Sequence, residues 1–179
     1  MIRISLLTGE LVLMALWLLC RGMIWIRRKT IDWKREALLL LMLINLAVLI
    51  RFVFFPFFTV NGQVQPLLIN LSSIRPIRIN WVPFVNILDY DRKREAAINI
   101  IGNIAMFIPT GIILPILYKR LDCFGKVLFA GAGLSLVIEM IQLLFPGSVT
   151  DIDDLLLNTA GAAIGYGLYK LARSFRRKA

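Results

Sequence analysis

The sequence predicts an all-α polytopic membrane helical bundle of about five transmembrane helices, with the N-terminus outside and the C-terminus cytoplasmic. Three observations carry this prediction. Hydrophobic residues make up 59% of the 179 residues and charged residues only 18%, more apolar surface than a soluble domain of this length can hide. Apolar stretches long enough to cross about 30 Å of hydrocarbon recur along the chain. The formal net charge of +10 is concentrated at the ends of those stretches. There it sets membrane orientation, and no nucleic-acid partner is expected.

Taken in order, the first helix runs from Ile4 to Ile26 and carries Glu10 and Arg21. Only Arg3 precedes its apolar run, and no small-residue cleavage site follows, so it reads as a retained helix and not as a signal peptide. A basic linker, Arg27–Arg35, follows; residues 1–36 form an additional N-terminal helix and linker within a single membrane domain, 1–179. Helix two spans Ala37–Phe58, with Asn45 and Arg51 inside it and Pro56 near its exit. The loop Val60–Glu95 is too short and too apolar for a separate soluble domain. Its segments Pro66–Leu71 and Trp81–Leu88 suit the interface, with Trp81 and Tyr90 at headgroup depth. Helix three spans Ala96–Tyr118, and Lys119, Arg120 and Lys126 bracket the turn after it. Helix four spans Val127–Phe145 and stops at Pro146-Gly147, residues that end helices. Helix five spans Asp154–Leu171, before Arg173, Arg176, Arg177 and Lys178.

If the helices alternate, the clusters Arg27–Arg35, Lys119–Lys126 and Lys170–Lys178 share one side, which the positive-inside rule makes cytoplasmic. Arg92-Lys93-Arg94 falls on the opposite side, its charge reduced by Asp89, Asp91 and Glu95. Cys20 and Cys123 then lie toward the reducing side, where a disulfide is not expected. Histidine is absent, which excludes imidazole ligands and imidazole general bases. No cofactor is expected.

Polar residues inside apolar helices are expensive and face protein or water. At about 1.5 Å rise per residue, Arg51, Asn99, Asn103, Glu139, Gln142 and Asn158 all fall in the outer half of the membrane. Asn99 and Asn103 share one face of helix three; Ser135, Glu139 and Gln142 share one face of helix four. Asn158, Gly161 and Gly165 mark a stripe on helix five, where a GxxxG pattern permits close helix approach, as Gly102 and Gly111 do on helix three. The bland reading of the amides is interhelical glue. Glu139 asks for more, and Arg51, at matching depth, is its candidate counter-ion.

Thr150-Asp151-Ile152-Asp153-Asp154 satisfies capping-box spacing at a helix N-terminus. Three acids exceed what one cap needs. The converging polar faces predict a polar, outward-opening cavity, and Asp151, Asp153 and Asp154 also form a carboxylate cluster at its mouth, with oxygen chemistry suited to Mg²⁺, Ca²⁺, a cationic ligand group or acid–base work. The pattern identifies neither a metal nor a reaction. Arg75, Arg78 and Arg92 are candidate headgroup contacts, for anchoring or for recognition of a lipid phosphate.

Four ordered motifs carry a resemblance. They are Asn80-Trp81-Val82-Pro83-Phe84; Asn99-Ile100-Ile101-Gly102-Asn103 running on through Phe107, Pro109 and Gly111; Glu139-Met140-Ile141-Gln142 with Phe145-Pro146-Gly147; and Asp151-Ile152-Asp153-Asp154 through Gly161. Over about 80–171 the chain resembles the VanZ-like family of bacterial membrane proteins. The resemblance implies a multi-pass protein of the bacterial cytoplasmic membrane. It also implies an association with resistance to teicoplanin, a glycopeptide whose target is peptidoglycan precursor at the outer face. Relatives often carry an arginine after the Pro-Gly pair, where this chain has Ser148. The leading expectation is an envelope protein whose outward-facing polar cavity binds a lipid, a lipid-linked precursor or a glycopeptide. A membrane-embedded enzyme acting on a lipid-linked substrate is the alternative, and a small transporter the third reading.

Overall fold

The computed structural model describes residues 2–55, 59–60, 63–64, 66–69, 79–83, 93–145 and 150–178. They fall into two compact units, Met1–Ser72 and Ser73–Ala179.

The first unit is a helical hairpin. Helix α1 (Leu6–Arg28) starts where the Ser5 hydroxyl accepts the Thr8 N–H and ends at Lys29, whose φ of 56° turns the chain in the left-handed region. Its N–H still reaches the Trp25 carbonyl, closing the last turn. Helix α2 (Trp33–Phe54) begins earlier than its apolar run because Asp32 caps it, accepting from the N–H groups of Lys34 and Arg35. Expected as linker, Lys34 and Arg35 are therefore helical. Across the hairpin Arg21 forks onto the part-buried Glu36 carboxylate, its Nε at 2.9 Å from Oε2 and a terminal nitrogen on Oε1. The polar interruption of α1 thus has its partner at the start of α2. Strand β1 (Ile2–Ile4) pairs antiparallel with β4 (Leu67–Ile69), so the chain before α1 and the chain after α2 lie at the same end of the hairpin. Between them β2 (Thr59–Val60) and β3 (Gln63–Val64) form a two-residue ladder.

Among its described residues, the second unit holds three long helices and a short strand pair. Helix α3 (Lys93–Leu117) runs unbroken through Pro109 and Pro115. A 3₁₀ turn, Lys119–Leu121, leads to α4 (Phe124–Gln142), and α5 (Ile152–Lys178) closes the chain. Strands β5 (Ile79–Asn80) and β6 (Thr150–Asp151) pair in parallel and place the approach to α3 beside the start of α5. These short ladders are the part of the architecture that the all-α expectation omits. They use two or three residues each, too few to leave a periodic signature.

Close packing of α3 on α5 explains the glycines. A Cβ added at Gly161 would run into the Ile104 carbonyl, one at Gly165 into that of Ile108, and one at Gly111 into that of Ala162. The GxxxG expectation for α5 is met, together with its counterpart at Gly111. Gly102 is different, because a side chain there would meet open space. Phe107, Thr110, Val127, Ser135 and Ala162 are fully buried between these helices.

Among the described residues, four helices, α1 to α4, are long and apolar enough to cross a membrane. Leu7, Leu19, Ile26, Ile101, Phe129 and Met140 show their apolar side chains on the outside of the unit they belong to, as a lipid-facing surface does. The expected fifth span, α5, is long enough but carries Asn158, three glycines and Lys170 along its length. It packs against α3 and α4.

Candidate functional site

The described polar residues of the second unit gather at two places. The first lies where α3 begins, α4 ends and α5 begins. On α3, Asn103 Nδ2 donates to Asn99 Oδ1 at 2.8 Å and to Asp154 Oδ1 at 2.6 Å. The four-residue spacing makes the first contact along the helix; the second crosses to α5. On α4, Glu139 is only 3% exposed, and its Oε2 accepts the Asp151 N–H at 3.3 Å. Asp151 accepts in turn from the Asp153 N–H at 3.0 Å and from Asn80 Nδ2 at 3.3 Å.

The helix cap is therefore shared between elements. Asp151 caps α5 as its spacing suggests, binding the second N–H of the helix. In a self-contained capping box the acid three residues on would reach back for the Asp151 N–H. Here Glu139, from α4, holds that N–H, while Asp154 accepts from Asn103 of α3. One helix start is thus tied to both neighbours. Among the described residues of this unit, no lysine or arginine forms an ion pair with Glu139 or Asp154.

One turn further along α5, Asn158 is buried and its Nδ2 donates to Ser135 Oγ at 2.9 Å. Among the described residues its Oδ1 has no partner. Asn158 therefore faces α4 while Gly161 and Gly165 face α3, so the expected single stripe on α5 serves two neighbours. Asp153 is 2% exposed. Gln142 is half-buried one turn beyond Glu139, and its carbonyl accepts the Phe145 N–H at 2.9 Å. Arg51 belongs to the first unit, where its guanidinium donates to the Phe55 carbonyl at 3.2 Å and lies over the Phe52 ring. Arg75, Arg78, Arg92, Tyr90, Pro146-Gly147 and Ser148 lie outside the described residues. Trp81, next to β5, is 69% exposed.

Among the described residues no three acidic or cysteine side chains converge as a metal-binding group would require. Chemically, the cluster offers carboxylate and amide oxygens on a rigid three-helix frame. Such oxygens accept hydrogen bonds.

The second gathering, at the other end of the same helices, was missed in the sequence. Asp122, in the turn before α4, accepts from Tyr166 Oη at 3.3 Å and from Tyr169 Oη at 3.2 Å. Lys170 Nζ lies 3.2 Å from the same carboxylate, and Arg173 binds it directly. Arg173 also donates to Tyr169 Oη at 3.0 Å. Burial pushes the Asp122 carboxyl up, but the Lys170 and Arg173 donors outweigh it and hold Asp122 below the usual carboxylate range. Asn80 was also missed as a site residue. Its place in the first of the four motifs was the available signal.

Comparison with known proteins adds three findings. A family model described as VanZ/LLP1 matches residues 38–173. "Protein VanZ" of Enterococcus faecium is 39% identical over 72 residues, which is 40% of this chain and 44% of that protein. The aligned part thus spans under half of the relative's length. No solved structure matches.

Proposed function

The chain belongs to the VanZ/LLP1 family, and from that premise we propose that it acts at the outer face of the cell envelope. It holds there the polar part of an amphiphile: a lipid, a lipid-linked precursor or a glycopeptide. By doing so it lowers susceptibility to teicoplanin. The observation that carries this reading is the meeting of Asn103, Glu139, Asp151 and Asp154 from three helices at one end of the unit. Hydrogen-bond acceptors on a rigid frame suit a head that bears ammonium and hydroxyl groups. The orientation in which this end lies outside follows from the basic clusters at the opposite helix ends.

The burial of Glu139 favours a second reading, an enzyme that uses this carboxylate on the same class of substrate. Deletion of the gene in its host and complementation with variants separate the readings. Teicoplanin susceptibility and the profile of lipid-linked precursors are the readouts. Asn103→Leu and Asp154→Asn, at normal protein levels, are expected to lose rescue. Glu139→Gln keeps the shape and an acceptor oxygen. It retains part of the rescue if the cluster binds, and none if Glu139 does acid–base chemistry. Full rescue by Asn103→Leu and Asp154→Asn together would remove the cluster from the function.

A further inference from the structure

We propose that the end of the second unit opposite the acidic cluster carries a binding site for an anionic phospholipid drawn from the adjoining leaflet. A cleft of about 800 Å³ opens there between α3 and α5. Its walls are two short apolar ladders, Ile112 and Ile116 on α3 and Leu168 and Ala172 on α5. Members of each ladder are four residues apart, so each runs along its helix axis as a strip. The cleft thus has the form of a groove between neighbouring helices, one of which is long and apolar enough to span the membrane.

Three cations line the same cleft: Lys119 on the 3₁₀ turn, and Arg173 and Arg176 on α5. The one acid lining it, Asp122, is already engaged by Lys170 and Arg173. Lys119 and Arg176 form no ion pair among the described residues. Arg173 is held by Asp122 and Tyr169, so its guanidinium is pre-positioned at the rim. Two uncompensated cations and one fixed guanidinium above an apolar groove match the chemistry of a phosphate attached to an acyl chain. A free anion would satisfy the rim but leave the apolar walls uncovered. A zwitterionic lipid would cover the walls but bring no net charge to the cations. This site does not depend on the function proposed for the acidic end.

The test uses the full chain purified in a neutral detergent and examined by native mass spectrometry. Palmitoyl-oleoyl phosphatidylglycerol and the matching phosphatidylcholine are added in equal amounts. The wild type is expected to retain phosphatidylglycerol about thirtyfold better, the preference two headgroup cations provide. The double variant Lys119→Gln/Arg176→Gln should bring that ratio close to one. Arg120→Gln, on the same face but outside the cleft lining, should leave it unchanged. Leu168→Trp, which fills the groove, should lower retention of both lipids. Helical circular dichroism and a single size-exclusion peak confirm that each variant is folded; Leu168→Trp is dispensable if it is not. An unchanged ratio in the double variant overturns the proposal. So does an equal loss in Arg120→Gln, which would mean attraction by the whole basic face. Displacement of the lipid by excess inorganic phosphate alone would assign the site to a free anion and also overturn it.

Discussion

The same three helices end in two polar clusters built on opposite principles. At one end a single carboxylate, Asp122, is surrounded by two cations and two phenols. At the other, Glu139 and Asp154 face amides and a backbone N–H. The Asp122 hub is compensated, and partly open to solvent on the side of Lys170 and Arg173. Charge pairs of that kind fasten turns to helices and contribute little each. Among the described residues, Glu139 and Asp154 are met by a backbone N–H and an amide N–H, neither of which carries a formal charge. A compensated cluster fastens the fold and leaves binding at its end to the cations beyond it, Lys119 and Arg176; the acidic cluster, if it binds, would do so through its own oxygens.

The largest effect should come from the contact that holds both ends in register. Gly161→Leu drives a side chain into the Ile104 carbonyl, which α3 cannot vacate without moving. Overpacking against backbone is expected to cost about 3 kcal/mol. The thermal midpoint in detergent should fall steeply, and Gly102→Ala, which points into open space, should fold normally. Equal tolerance of both substitutions would mean that α3 and α5 are not packed through their backbones.

Next in size is Asn103→Leu. It leaves the Asp154 and Asn99 side-chain oxygens without the donor that joins them. A loss of about 2 kcal/mol is expected, measured as the shift in a thermal or denaturant midpoint. Leu at this position and at Asp154 together should cost less than the two single changes combined, because an orphaned acceptor is then absent.

Asp122→Asn should cost only about 1 kcal/mol, the range of a part-exposed ion-pair network. Its signature lies in pH. Asp122 is held below the ordinary carboxylate range when folded, so its contribution is complete above the unfolded value near 3.9. It is lost as pH falls through the lower, folded value. The acid limb of the wild-type stability curve should therefore be steeper than that of Asp122→Asn. Parallel limbs would mean that the hub carries no ionic stabilisation.

The smallest expected change separates glue from site. Ser135→Ala removes the acceptor of Asn158 Nδ2 and should cost about 1 kcal/mol. Adding Asn158→Leu should recover part of that loss if this pair is a packing device. If the double variant instead abolishes rescue of the deletion strain, at normal protein levels, Asn158 belongs with the acidic end.

Much of this arrangement was legible in the sequence. The apolar runs located the five described long helices, and the spacing of Asn99 with Asn103 and of Ser135 with Glu139 gave the right faces. Gly161 and Gly165 announced a close approach. Helix starts were misplaced where a cap decides them, as Asp32 does for α2. What was not legible is partnership across long separations. Asp122 stands among Lys119, Arg120 and Lys126 and reads as an ordinary turn residue. Its tyrosine and arginine partners lie 44 to 51 residues away. Glu36 read as linker until Arg21 was seen against it. In the same way the exchange of cap partners between Glu139 and Asp154 has no local sign, because the spacing alone fits a self-contained box.

That exchange has a mechanical consequence. Asp151 fastens the first turn of α5 with its side chain while giving its own N–H to a carboxylate on another helix. Any group that competes for the Glu139 oxygen also competes with that N–H, and so loosens the thread that anchors the beginning of α5. Occupancy at one helix would thereby be converted into fraying of the next, a readout that amide exchange at Asp151 and Asp153 would register before any larger movement.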